Sequence, residues 1–479
     1  MIKLKQLLME GLKEKAAIDF LTQQIKGSKF QGKAYLAGGF VRDELMGLDP
    51  KDVDIVVNLP AGGIEFANWI TRKLGIYTSG NPVTFPRFGT AKFNLRGITH
   101  NGQDLSDIDV ETVAPRVEKY TPGSRKPEVS QGTMVDDVER RDFTVNSLLK
   151  DLTTGEILDL TGKGKADIKK GVIRTTLDPD TIFKDDPLRM LRAIRFTVKY
   201  NWTLPLYMIK ALKRNSHMLK HISAERVRDE LDKMLVTGSP DKAIRLLQMT
   251  DLNKYVMPEL DLLVGLKQNK YHIWTAAKHT LEVLKSAPPD LVTRLGALLH
   301  DIGKAETKEV IDGSVHFYKH EDVGADVARD IMVRLKYPNN IIDAVTKMIS
   351  SHMRLKQAGA EGEVISDKAL RRLKADLGDH LEKTLDLIHA DNVNHAPESN
   401  MEKQIPAIRK RLKNLKNAPT SSKIPIPING HEVMSLTGVR PGPIVRVLLD
   451  TVIDAWMENP DISKQQAIDL VMKTFKDMA

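Results

Sequence analysis

The 479-residue chain contains no cysteine, which excludes a disulfide framework and any thiolate metal site. Aromatic residues make up only 5% of it. No apolar run approaches the roughly 20 residues that a membrane-crossing helix needs. The first residues, Met1-Ile2-Lys3-Leu4-Lys5, lack the apolar core of a secretory signal. A cytoplasmic protein without membrane association is therefore expected. Acidic residues are outnumbered by basic ones, 63 against 72, leaving a net charge of +9. That balance suits a polyanionic partner without specifying one. Hydrophobic residues at 41% and charged residues at 28% are those of a globular chain long enough for several domains.

Residues 1–30 read as an N-terminal helical extension closed by Gly27-Ser28. Over 31–160, short strand-like runs such as Ala34-Tyr35-Leu36 and Ile55-Val56-Val57 alternate with Gly and Pro turns. Helical segments are expected near 40–47, 61–74 and 142–150, giving a mixed α/β head. Pro115 to Gln131 is rich in Pro, Gly, Ser and charge, and is expected to be a mobile loop. After Gly171 helical patterns dominate, with interruptions near Asn253 to Lys270 and Ala418 to Asn429. The expected organisation is α+β: the head, then an all-α neck over 161–252, a helical domain over 253–400 and a helical tail over 401–479.

Asp52 and Asp54 flank Val53 at the start of a strand-like run, so both carboxylates project from one face. Such a pair repels itself unless a cation lies between, and Mg²⁺ held by few carboxylates plus substrate phosphates fits that need. Gly38-Gly39 just upstream lets backbone amides approach a phosphate. Arg42 and Arg140-Arg141 supply fixed cations for one. Alternation in Asp107-Ile108-Asp109-Val110-Glu111 offers Asp107, Asp109 or Glu111 as a third carboxylate, with Asp109 preferred. Taken singly, an Asp-x-Asp pair or a Gly-Gly turn is usually ordinary loop, and their closeness is what points to phosphoryl chemistry on a nucleotide. Asp186 and Arg189 share a helix face. A carboxylate only accepts and a guanidinium only donates. Together they complement cytosine and adenine, which present an amine beside a ring acceptor, and mismatch uracil and guanine. Alone, the pair would be an ordinary intrahelical ion pair.

These strings resemble the class II tRNA nucleotidyltransferases, the CCA-adding enzymes, and their poly(A) polymerase relatives. The likeness rests on Gly38-Gly39-Phe40-Val41-Arg42-Asp43 with Asp52 and Asp54, on Arg140 through Leu148, on Asp159 to Ile168, on Asp185 through Phe196, and on Glu225 through Leu231. It implies a polymerase beta-like head that adds the 3′-terminal CCA of tRNA from CTP and ATP without a template, releasing pyrophosphate. Asp52 and Asp54 would hold Mg²⁺ with Asp109 assisting. Gly38, Gly39, Arg42, Arg140 and Arg141 would hold the triphosphate and Asp142 the ribose, with Asn146 beside them. Asp186 and Arg189 would read the base, with Arg192 and Arg195 on the same helix. The family usually has Glu at the position of Asp185, and the segment after Asp109 is longer than in many members. A poly(A) polymerase, or an enzyme adding only CC or only A, shares these motifs. A monomer or homodimer is expected.

His300-Asp301-Ile302-Gly303-Lys304 ends a buried helical pattern and resembles the HD phosphohydrolase signature. His279 matches a first ligand, and His320, His352 and Asp391 match later ones. The resemblance implies a divalent transition metal, not separable among Mn, Ni, Co and Fe, and phosphoester hydrolysis. The bland alternative is that these side chains cap helices or pack. A protein that is mainly such a phosphohydrolase, with the head serving to bind RNA, is the rival reading. Lys403–Lys416 carries alternating basic residues on a helical pattern, for which a solvated face is the commoner explanation. Ile428 to Met434 and Gly438 to Pro443 resemble the family's tail, which docks tRNA by shape and phosphate.

Overall fold

The computed structural model describes residues 12–75, 80–119, 128–269, 273–356, 358–359, 362, 364–399, 401–415 and 424–478. Its contacts divide the chain into two units, Met1–Glu230 with Leu246–Tyr255, and Leu231–Arg245 with Val256–Ala479.

The first unit is built on a seven-stranded sheet: β1 (Ala34–Ala37), β2 (Val53–Val57), β3 (Val83–Phe85), β4 (Thr90–Asn94), β5 (Asp109–Val113), β6 (Leu149–Asp151) and β7 (Ile157–Leu158). The strand order is β7-β6-β1-β2-β5-β4-β3. Pairing is antiparallel throughout except between β2 and β5, which run parallel. Alternation on β2 decides which face does what. Val53, Ile55 and Val57 enter the main core against Phe66, Ala67 and Ile70 of the helix Gly62–Leu74, which leaves Asp54 on the opposite face. The helix Leu12–Ile25 contributes Ala16, Ala17, Leu21 and Ile25 to that same core.

Two local expectations change. The segment 142–150 is not a helix but a single 3₁₀ turn, Thr144–Asn146, running into β6, because Leu149 to Asp151 pair with β1. The expected loop from Pro115 to Gln131 has an antiparallel ladder at its base, Arg116–Lys119 against Glu128–Gln131. Its tip, 120–127, lies outside the described residues. Downstream, the helices Pro179–Asp185 and Leu188–Lys199 lie on either side of Asp186-Pro187. Asp186 itself is extended, as a residue preceding proline is biased to be.

The second unit gathers Ala276–Ser286, Leu291–Leu299, His320–Arg334, Asn339–Ser351 and Leu381–Asn392 around a buried polar centre. Gly303 permits one close approach, since a Cβ there would lie 2.3 Å from the His320 carbonyl oxygen. The expectation of an all-α domain is incomplete. A hairpin, Lys308–Ile311 with Ser314–Phe317, interrupts the helices, turning at Asp312-Gly313, both with positive φ. The tail packs Val433, Val445, Leu448, Val452, Ala467 and Val471 into its own core. Among the described residues no helix is long and apolar enough to cross a membrane.

Candidate active sites

In the first unit, the parallel register of β2 and β5 sets Asp54 opposite Glu111. Asp52 follows on the same side by alternation. Asp54 is exposed at its tip, yet its carboxyl is pushed up to about 6, first by lost hydration and then by Glu111 and Asp52, with Arg141 opposing. Asp109 was expected as the third carboxylate, with Asp107 and Glu111 as alternatives. It stands opposite Asn94 on β4, accepts from Asn94 Nδ2 at 3.1 Å and pairs with Lys92 at 2.9 Å. Lys92 and Asn94 hold its carboxyl below the usual range. The residue that crowds Asp54 is Glu111.

Gly38 takes φ +67°, and a Cβ on it would meet Arg141 Nη1 at 3.2 Å, so only glycine lets that guanidinium close on the turn. Arg141 also donates to the Asn146 carbonyl at 3.2 Å. Asp137, which the sequence reading passes over, holds both arginines: Arg140 at 2.5 Å and Arg141 at 2.9 Å. It is fully buried, and Arg141 and Arg140 hold its carboxyl below the usual range against the loss of hydration. Its signal was legible, an acid three and four residues ahead of two arginines on a helix capped by Thr133.

Arg42, expected to meet phosphate, is engaged within the protein. It is 5% exposed, pairs with Asp43 at 2.7 Å, donates to Asn146 Oδ1 and lies over the rings of Phe196 and Tyr200. Asn146 in turn donates to Asp142 Oδ1 at 2.8 Å, and Asp142 pairs with Arg192 at 2.6 Å. These residues form a continuous chain, Asp43–Arg42–Asn146–Asp142–Arg192, buried at its three central members. Arg192 and Asn146 keep the Asp142 carboxyl low despite its burial. Arg195 is spent on the buried Glu230 at 2.6 Å.

Asp186 and Arg189 are near each other but not paired. Asp186 accepts from Leu188 N–H at 3.1 Å and from Arg226 at 2.8 Å. Arg189 is buried and donates to the carbonyls of Arg140 at 2.7 Å and Ile182 at 3.4 Å. Asp186 is thereby fixed as an acceptor and Arg189 as a donor, on residues that sequence spacing alone would pair with each other.

In the second unit all six expected ligands converge. His279, His300 and Asp391 form one buried group, and Asp301, His320 and His352 a second, each with its ligand atoms within 4.8 Å of one another. Asp301 spans them, with Oδ2 3.3 Å from His300 Nε2 and Oδ1 3.5 Å from His320 Nε2. The Nδ1 atoms of His300, His320 and His352 each bond the carbonyl three residues back, those of Ala297, Phe317 and Ile349. That fixes the tautomer and leaves each Nε2 lone pair available, the arrangement metal-ligating histidines adopt. His300 Nε2 has no hydrogen-bond partner. Burial, with His300 and His320 alongside, pushes His352 down to about 3, so it stays neutral and able to ligate.

Three further groups escaped the sequence reading. Lys304 pairs with Asp301 at 2.7 Å and Lys356 with Asp391 at 3.1 Å. His395 Nε2 lies 3.0 Å from Lys356 Nζ. Lys304 was visible in the signature string and His395 stands four residues after Asp391, but Lys356 follows no spacing rule. A cavity of about 580 Å³ opens onto Asp301, His320, His352 and Asp391, with Lys304 and Lys356 in its wall.

Residues 34–174 match the family described as Poly A polymerase head domain. Residues 207–263 match Probable RNA and SrmB-binding site of polymerase A, and 270–391 match HD domain. A Multifunctional CCA protein of Neisseria gonorrhoeae is 31% identical over 334 residues, spanning 68% of this chain and 75% of that one. A CC-adding tRNA nucleotidyltransferase of Thermus thermophilus is 29% identical over 91% of this chain and 92% of its own. The crystal structure of the Bacillus stearothermophilus CCA-adding enzyme in complex with CTP shares the fold, with a TM-score of 0.68 at 21% identity over 97% and 98% of the two chains.

Proposed function

Because this chain belongs to the CCA-adding tRNA nucleotidyltransferases and is thus a nucleotidyl-transferring enzyme, we propose that it builds or repairs the 3′-terminal CCA of tRNA from CTP and ATP, releasing pyrophosphate. The observation that carries the mechanism is the juxtaposition of Asp54 with Glu111 and Asp52. Three crowded carboxylates, one of them pushed up to about 6, offer an all-oxygen donor set that suits Mg²⁺. When bound, Mg²⁺ would lower the pKa of the tRNA 3′-hydroxyl and neutralise the leaving pyrophosphate.

The chain's own residues then do the positioning. The Gly38–Gly39 turn and Arg141, clamped by Asp137, receive the phosphates. Asp142, held rigid by Arg192 and Asn146, faces the ribose. Arg42 and Arg195 are buttresses rather than phosphate ligands, since both are satisfied within the protein. Asp186 accepts the exocyclic amine of cytosine or adenine, and the remaining N–H groups of Arg189 donate to the ring nitrogen. A base offering a carbonyl beside a ring N–H meets the wrong partner at both atoms.

The test is extension of tRNA transcripts ending before CCA, after C and after CC, given CTP, ATP, both, UTP or GTP. Stepwise growth that halts at CCA and vanishes in Asp52→Ala supports the proposal. Arrest after CC, addition of A alone, or runs of A would replace it with a sister activity.

A second reading is carried by the inward-facing imidazoles of the HD unit. The His279, His300, Asp301, His320, His352 and Asp391 set suits a divalent transition metal, or two sharing Asp301, and a phosphohydrolase reaction.

A further inference from the structure

The wall of the cavity beside the HD cluster is partly charged and partly apolar. Lys304 and Lys356 stand next to Asp301 and Asp391, and Lys304 Nζ also lies 5.5 Å from the centre of the Phe317 ring. Met353, Met401 and two further aromatic rings, His316 and Tyr318, line the same cavity. Those rings lie parallel, 5.2 Å between centroids and 7° between planes. Tyr318 Oη is 3.2 Å from His316 Nδ1, a hydrogen bond that fixes the phenol against the imidazole. One face of Tyr318 is covered in this way, yet the side chain remains 59% exposed while lining the cavity.

A bare phosphate has nothing to gain from an aromatic ring held flat and open, and a ribose offers it less surface than a base does. A nucleobase gains from it, because every base has a π-face that stacks on such a ring without needing a particular hydrogen-bond pattern. A volume of about 580 Å³ also exceeds what a bare phosphate group would fill. We propose that Tyr318, backed by His316, is a nucleobase platform, and that the HD cavity takes a nucleotide with its phosphate toward the histidine–aspartate cluster. The orientation of the phosphate rests on the phosphohydrolase reading, whereas the stacking does not.

The probe is 2-aminopurine riboside 3′-monophosphate, used free and as the last residue of a short RNA, titrated with full-length protein in EDTA. EDTA stops hydrolysis and removes Mg²⁺ from the head. Fluorescence is quenched on stacking, and Tyr318→Ala is expected to weaken binding about tenfold, with Tyr318→Phe restoring it. Whichever form binds tighter, free nucleotide or RNA end, identifies the source. Equal affinity in Tyr318→Ala and the parent overturns the platform. In parallel, phosphate release from 3′-AMP and from ribose 5-phosphate is measured with Mn²⁺ or Ni²⁺ added. Tyr318→Ala should raise KM for the nucleotide and leave the base-free ester unchanged. No release from any ester would remove the hydrolase reading while Tyr318-dependent quenching stood.

Discussion

Asp54 and Glu111 are register partners on the two parallel strands of the head, whereas Asp109, two residues earlier on the same strand, is neutralised by Lys92. Carboxylates that crowd one another gain most from a divalent cation, so Glu111 is expected to contribute more to a metal site than Asp109. Glu111→Gln is expected to lower kcat for CMP addition by more than the roughly 10- to 100-fold that outer-shell partners of a metal cost. Asp109→Asn should stay within a few-fold of the parent. Single-turnover extension at saturating CTP checks both, and a larger loss in Asp109→Asn would reverse the assignment.

Asp137 links the phosphate arginines to folding. Its folded carboxyl lies below the unfolded value of about 3.9. The stability it contributes is therefore complete above that value and is lost as pH falls from there through the lower folded value. Asp137→Asn should cost about 3–5 kcal/mol near neutral pH, as expected when one partner of a buried pair is removed. It should also flatten the acid limb of the stability profile below about pH 4. Urea titrations between pH 3 and 7 would show this, and an unchanged acid limb would count against it.

The sequence makes motif chemistry legible because it is local. Gly38-Gly39, Asp52 with Asp54, and His300-Asp301 each announce themselves within a few residues. What it hides is pairing between distant segments. Glu111 and Asp109 alternate onto the same strand face, so periodicity offers both, and only the β2–β5 register separates them. Arg42 and Arg195 read as cations for substrate because Asn146 and Glu230, which occupy them, are far away in sequence. The hairpin at 308–317 was legible in principle, through the Asp312-Gly313 turn between β-branched residues. Of the two lysines of the HD centre, Lys304 follows its partner Asp301 by three residues, whereas Lys356 reaches Asp391 across 35 residues, a separation that no spacing rule connects.

Asn146 is the joint between Arg42 and Asp142, and both of its hydrogen bonds are buried. Asn146→Ala should destabilise the head by about 1–3 kcal/mol for each polar group left without its partner. Asn146→Asp retains an acceptor for Arg42 but sets a second carboxylate against Asp142. It should therefore impair the ribose contact at least as much as alanine does. Thermal unfolding reports the first effect and KM for CTP the second. If both variants matched the parent in KM, Asp142 would not depend on Asn146 for its orientation.

His300 and Asp301 give the means to separate the two units. Each lies among the inward-facing imidazoles and carboxylates of the HD cluster, and neither belongs to the head that carries nucleotidyl transfer. The parent is expected to co-purify with a transition metal, measured by inductively coupled plasma mass spectrometry, and the double variant His300→Ala/Asp301→Ala to hold less than about a tenth of that content. The double variant should extend tRNA ending before CCA at the parental rate. Asp52→Ala should do the opposite, retaining the metal and losing extension. Removing Lys356 instead leaves all six candidate ligands in place while taking a positive charge from Asp391. Lys356→Met should therefore keep its metal and raise KM for a phosphate ester rather than abolish turnover. Loss of metal in Lys356→Met would mean that the lysine supports the ligand set itself instead of the incoming phosphate.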